Sequence, residues 1–338
     1  MTETPLRNLL TDIDGIAVGS AHDATICSGV TVVLAPEGTV AAVDVRGGGP
    51  GTLETDALSP DGTVDEVNAI VLSGGSAFGL AAAAGVRDWL AAKGIGFAVR
   101  EACVPIVAQA ILFDLLNGGA KQDLSENYAR LAKSACAGAT RGDFSLGSAG
   151  AGFGATTANL RGGLGSASAD LGSGLKVAAL VAANPLGTVT MGGTRHFWAH
   201  PFERASEYGG HGPPPGWTGP PEPPPLKGAE AENTTLAIVA TNARLDKRTA
   251  RRLAIMAQTG LARAIHPVHT PLDGDVVFTL ATGKVALEDP ITGLARLGSA
   301  AADTLARAIA RAIYEAAPAP VGWRGPPSYR ERFGESSG

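Results

Sequence analysis

At 338 residues and 45% hydrophobic, the chain has the means for a large buried core, which excludes a disordered or fibrous protein. A net charge of −5, a pI of about 5.7 and no sustained basic run argue against nucleic acid or anionic membrane as partners. The odd, scattered set Cys27, Cys103 and Cys136 suits a reducing compartment rather than a disulfide framework. Met1 to Leu10 lacks the pattern of a signal peptide, so the expectation is a cytoplasmic protein without a membrane span.

Taken in chain order, Val30 to Ala35 and Thr39 to Val45 are apolar runs separated by Pro36-Glu37-Gly38, a pattern that predicts a β-hairpin. Ala69 to Leu72 predicts a strand that passes through Ser73-Gly74-Gly75-Ser76 into a helix ending near Ala92, with Leu80, Ala83, Val86 and Leu90 on one face. Val104 to Leu116 and Glu126 to Ala137 are further helix candidates. Gly150 to Ala155 formally fits a dinucleotide fingerprint, but no good strand leads into it and no convincing helix follows. Lys176 to Ala183 predicts a strand ending at Asn184-Pro185.

The sharpest break is His211 to Lys227, which holds eight prolines and predicts an exposed connector over 211–230. Asn233-Thr234-Thr235 then opens a buried-strand run, Leu236 to Ala240. Asp246 caps a helix reaching about Ile265, Val276 to Ala281 is a strand, and Pro290 to Ala316 is a long alanine-rich helix. The tail over 317–338 reads as irregular. Short strands, apolar on both faces, require helices to cover them, so the expected architecture is α+β, a layered sandwich of helices around sheets.

A loop running into a strand that starts with Thr suits a self-cleaving amide hydrolase. The Thr234 hydroxyl would attack the Asn233 carbonyl, and water would then release an α-amine on Thr234. With an ordinary pKa of about 7.7–8.0, that amine can serve as base for the hydroxyl of its own residue. Taken alone, Asn-Thr-Thr is better explained as a polar strand entry. His266-Pro267-Val268-His269 lacks the spacing and companions of a metal site, and a structural or surface role is expected for it.

Several motifs in register say more than any one of them. Thr11-Asp12-Ile13-Asp14-Gly15-Ile16, Val43-Asp44-Val45-Arg46-Gly47-Gly48, Leu72 to Leu80, Gly162 to Ser168, Asn233 to Asn242 and His269-Thr270-Pro271-Leu272-Asp273-Gly274-Asp275 together resemble the DmpA-type peptidases. That group includes the L-aminopeptidase/D-esterases and the nylon-oligomer hydrolases, and the resemblance spans roughly residues 7 to 316. It implies an αββα sandwich of the DmpA and ornithine acetyltransferase kind. A single catalytic domain over 1–316 would be cut after Asn233 into fragments 1–233 and 234–338.

The resemblance makes Thr234 the nucleophile and Asn184 an oxyanion donor. It sets Asp273 and Asp275 beside the nucleophile, where a tight Asp-Gly turn is the plain alternative. Ser76, Phe78 and Asn159 fall on the substrate side. Two positions depart from the family pattern: Asn159 stands where relatives carry a lysine, with Arg161 nearby to supply charge, and Phe78 stands where some carry a tyrosine. The resemblance further implies no cofactor or metal, a small peptide or amide substrate, and a homo-oligomer, a tetramer in the family. An acyltransferase using the same acyl-enzyme, or an uncleaved non-catalytic homologue, are the alternatives.

Overall fold

A computed structural model of the chain describes residues 5–220, 222–228 and 233–334. Parts of the readings for Met1–Leu10, the 211–230 connector and the 317–338 tail therefore lie outside the described residues. In chain order the elements are β1 (Ala17–Asp23), β2 (Ser28–Leu34), β3 (Val40–Val45), β4 (Thr52–Leu53), β5 (Ala69–Ser73), α1 (Ala81–Ala91), β6 (Phe97–Val99), β7 (Ala102–Val104) and β8 (Val107–Ile111). They continue with α2 (Leu124–Ala137), β9 (Gly163–Asp170), β10 (Lys176–Asn184), β11 (Thr234–Ala243), α3 (Lys247–Ala264), β12 (Val276–Val285), α4 (Thr292–Tyr314) and α5 (Tyr329–Phe333).

Two five-stranded sheets face each other, one ordered β1-β2-β5-β8-β4 and the other β3-β12-β11-β10-β9. Side chains alternate between the faces of a strand, and both faces here are apolar. In β10, Ala178, Leu180 and Ala182 enter the layer between the sheets, where they meet Val33, Ile70 and Leu72. Ala179, Val181 and Ala183 turn the other way, onto α3 and α4 residues such as Leu253, Leu261, Leu305 and Ile309. The first sheet is covered likewise, with Val30, Val32 and Val71 packed on Val86 and Leu90 of α1 and Leu131 and Cys136 of α2. The result is the four-layer αββα sandwich anticipated from the sequence.

Three expectations change. The expected hairpin does not form: β2 pairs with β1 and β5, whereas β3 crosses to the second sheet and pairs with β12. Runs that are apolar on both faces carry no mark of which sheet receives them. The helix expected over Val104 to Leu116 contains β8 instead, parallel to β5 and joined to it through α1. A short apolar run fits a buried strand as well as a helix, and here the βαβ connection decides. The tail is not wholly irregular, since Ser328 caps α5 and Tyr329 is fully buried against Phe197.

The other expected elements follow their sequence signals, whereas β1, β4, β6, β7 and β9 form where none was expected. Asp246 accepts from the Thr249 N–H and caps α3, and α1, α2 and α4 lie where their periodicity predicts. Between Gly150 and Gly152 the fingerprint segment makes a single 3-10 turn with no long helix after it, so the dinucleotide geometry is absent there. Among the described residues no helix is long and apolar enough to cross a membrane.

Close helix-on-sheet packing depends on small residues. A Cβ built on Gly165 of β9 would lie 1.9 Å from the Ala308 carbonyl oxygen of α4. Gly165→Ala is therefore expected to push α4 off the sheet and destabilise the fold by about 1–3 kcal/mol, the usual range for overpacking. Urea unfolding tests this, and an unchanged midpoint would contradict it.

Candidate active site

The site forms where β10 ends and β11 begins. These strands are antiparallel, and Asn184 is the direct register partner of Thr234. Directly opposed residues project from the same face. Asn184 shares parity with Ala182, and Thr234 with Leu236, both of which point between the sheets. The fold thus sets the carboxamide and the hydroxyl side by side at the end of the inter-sheet layer, with Asn184 fully buried and Thr234 nearly so.

On the other side of β11 lies β12, parallel to it, with Leu236 opposite Val276. Just ahead of that ladder an isolated parallel bridge joins Asn233 to Asp273. The bridge brings the Gly274 N–H to 2.6 Å from the Asn233 carbonyl oxygen, and the Thr234 hydroxyl donates to the same oxygen at 2.6 Å. Gly274 has to be glycine here, because a Cβ would stand 2.6 Å from Thr234 Oγ1 and 2.7 Å from the Gly49 carbonyl oxygen.

Both aspartates are buried and bound, which is more than a surface turn requires. Asp273 accepts from the Leu186 N–H at 3.1 Å and the Thr270 N–H at 2.8 Å. Burial, and after it the Asp275 charge, push its carboxyl upward. Asp275 accepts from the Thr235 N–H at 2.8 Å through one oxygen, and its other oxygen lies 2.8 Å from His269 Nδ1. His269, expected to be structural or at the surface, is therefore a direct partner of a site carboxylate. His266 packs against Trp198 instead.

Asn184 is held on three sides. Its Oδ1 accepts from the Thr156 N–H at 2.9 Å and from Lys227 Nζ at 3.0 Å, and its Nδ2 donates to the Phe113 carbonyl at 3.1 Å. Two donors on one atom and an acceptor on the other fix which way the amide points. Lys227 is the group that the sequence reading did not place in the site. Its Nζ also donates to the Thr156 carbonyl at 3.1 Å, and burial pulls its amine down to about 7 against the opposing effect of the Asp273 and Asp114 carboxylates. One signal was present: Lys227 is the only Lys or Arg between Arg204 and Arg244.

Among the described residues, none of the other sequence candidates hydrogen-bonds to Thr234, Asn184, Asp273 or Asp275. Asn159 caps its own turn through the Thr157 hydroxyl, and its loop reaches Asn184 through Thr156 instead. Arg161 is buried and donates to the carbonyls of Phe153, Ala317 and Pro318, so it anchors the tail rather than charging the site. Ser76, at φ 51°, donates its N–H to the Leu112 carbonyl. Phe78 is half exposed and borders a separate open groove with Leu115, Lys121 and Leu124.

Known proteins share this arrangement of layers. A Burkholderia sp. beta-aminopeptidase superimposes with a TM-score of 0.68 over 98% of this chain and 94% of its own, at 22% identity. The L-aminopeptidase D-Ala-esterase/amidase of Ochrobactrum anthropi, described as a variant of the Ntn hydrolase fold, gives 0.66 over 98% and 94%, at 20% identity. The fold is thus that of the Ntn hydrolases. The model of peptidase family S58 matches residues 8–322, and the chain belongs to that family of peptidases and amide hydrolases. An uncharacterized aminopeptidase of Mycobacterium tuberculosis is 41% identical over 96% of this chain and 98% of its own length. A 6-aminohexanoate-oligomer endohydrolase of Paenarthrobacter ureafaciens is 30% identical over 82% and 75% respectively.

The hydrogen bonds of Asn184 imply a measurable structural share. Asn184→Ala deprives the buried Thr156 N–H of its acceptor and the Lys227 amine of one of its two, and is expected to cost about 1–3 kcal/mol in stability. Urea unfolding measures this loss. An unchanged midpoint would mean that this acceptor does not hold the Thr156 loop.

Proposed function

We propose that the chain cuts its own Asn233–Thr234 bond and then hydrolyses small amides or peptides with Thr234 as an N-terminal nucleophile. The observation that carries this reading is the convergence of the Thr234 hydroxyl and the Gly274 N–H on the Asn233 carbonyl. Attack of Oγ1 on the carbonyl carbon would place negative charge on the oxygen that Gly274 already contacts. The proton passes to the Thr234 nitrogen, the C–N bond breaks, and an ester links Asn233 to Oγ1. Water then cleaves the ester, leaving the Asn233 carboxylate and the Thr234 α-amine.

In the mature site the neutral α-amine takes the hydroxyl proton as Oγ1 attacks a substrate carbonyl. The second N–H of Asn184 Nδ2, not needed by Phe113, is available to the developing oxyanion. Collapse expels the substrate amine with that proton, and water releases the acyl group. Asp273 and Asp275 lie in the loop beside Asn233 and Thr235, where their charge favours the newly formed α-ammonium. Relatives named as an aminopeptidase and as an oligomer endohydrolase support small amides bearing an amino group as the substrate class.

Intact-mass analysis of purified protein is expected to give fragments 1–233 and 234–338, with Thr at the new terminus. Thr234→Ala should remain a folded single chain without amidase activity, and Thr234→Ser should still process. Cleavage of the Ala variant at the same bond would sink the mechanism. Asp275→Asn removes charge while keeping an acceptor for Thr235 N–H and is expected to fold and to lose most amide hydrolysis. Wild-type turnover in that variant would return the Asp-Gly-Asp segment to a turn.

A further inference from the structure

The proline-rich connector is longer than a link from Asn184 to Thr234 requires, because these residues are already register neighbours. What its described part does is dock. Trp217 packs edge-on against Trp198 at 5.6 Å between centroids, and the Trp198 indole donates to the Thr188 hydroxyl. Ten residues later the Lys227 N–H donates to the Leu186 carbonyl at 2.9 Å, while Nζ reaches Asn184 and Thr156. Leu186 is also the residue whose N–H binds Asp273. The connector is thus fastened to the short loop that joins the carboxamide of the site to one of its carboxylates.

Resting on the functional reading above, we propose that Lys227 is a positioning residue of the mature site, a part of the large fragment's tail that stays docked after the Asn233–Thr234 bond is cut and holds the Asn184 carboxamide in its working orientation. Among the described residues the hydrogen-bond partners of Lys227, which are Leu186, Thr156 and Asn184, all belong to the same fragment as the connector, and only the field of Asp273 reaches it from the far side of that bond. A proline-rich segment also has less backbone freedom to regain on release, which favours the docked state. Withdrawing an amine from water is costly unless it finds acceptors. The two oxygens of Thr156 and Asn184 supply them, and the Asp273 and Asp114 carboxylates add favourable field. Burial lowers the pKa of the amine to about 7, but either protonation state retains N–H donors for Asn184 Oδ1.

Without the Nζ contact, Oδ1 keeps only the Thr156 N–H, and the carboxamide is freer to tilt. A misplacement on the scale of 1 Å in a catalytic group lowers turnover by up to about a hundredfold. Lys227 acts on Asn184 and not on the ground-state grip of substrate, so the loss belongs in kcat.

The test compares wild type, Lys227→Met, Lys227→Gln and Lys227→Arg as full chains, each first analysed by intact mass for release of fragment 234–338. An amino acid p-nitroanilide serves as the probe, and rates are expressed per processed chain. Lys227→Met, similar in length and without a donor, is expected to lower kcat roughly 10–100-fold with KM little changed. Lys227→Arg and, in part, Lys227→Gln should recover activity because each returns an N–H donor. Wild-type kcat in processed Lys227→Met would overturn the proposal. So would a loss in all three variants that tracks their melting temperatures, since that identifies a purely structural residue. If Lys227→Met does not fold, recovery of kcat by Arg over Gln at equal melting temperature supports the proposal, and identical low activity in both overturns it. An uncleaved wild-type chain would instead refute the functional reading itself, which the mass measurement reports separately.

Discussion

The pairing of β10 with β11 is the constraint on which the site depends. Asn184 is the last residue of one strand and Thr234 the first of the other, and they meet as direct partners. A slip of one residue would send one of the two to the helix-covered face. The register is held because both faces are buried: Leu180 and Ile238 are committed to the layer between the sheets, Val181 and Val239 to the layer beneath α3 and α4. Hydrophobic packing over the length of two strands therefore positions a carboxamide and a hydroxyl at their ends.

The third strand supplies the rest. Because β12 runs parallel to β11, the loop leading into it arrives at the same end of the sheet as Thr234. It brings a backbone N–H to the Asn233 carbonyl, and two carboxylates held by backbone N–H groups and by His269. Buried carboxylates persist only with such partners. Burial, and after it the Asp275 charge, pushes the Asp273 carboxyl upward, so a cation beside the pair is favoured. Lys227, approaching from the connector, meets part of that demand from one side, and in the proposed mechanism the new α-ammonium meets it from the other.

The arrangement also explains the density of glycine around the site. Backbones approach so closely that side chains have no room, as at Gly274 against Thr234 and Gly47 against the Asp273 carbonyl. These glycines are selected by contact with atoms far away in sequence. They look like ordinary turn residues until the layers are assembled.

Local signals in the sequence determined a good deal: the strand beginning at Thr234, the end of β10 at Asn184, the capped helix after Asp246, and the need for helices over strands that are apolar on both faces. Those features depend on period, capping chemistry and composition, which act over a few residues. The grouping of Thr234, Asn184, Asp273 and Asp275 was legible through several motifs in order, not through any spacing alone. Only the tertiary structure decided that β2 and β3 part into different sheets, that Val107–Ile111 is a strand, and that Tyr329 folds back into the core. It also decided that His269 serves Asp275, that Arg161 serves the tail, and that Lys227, rather than Asn159 or Arg161, brings a side-chain amine to Asn184. The physical reason is common to all of these. A doubly apolar run or a lone charged side chain carries no address, and its partner is set by which layers close over it.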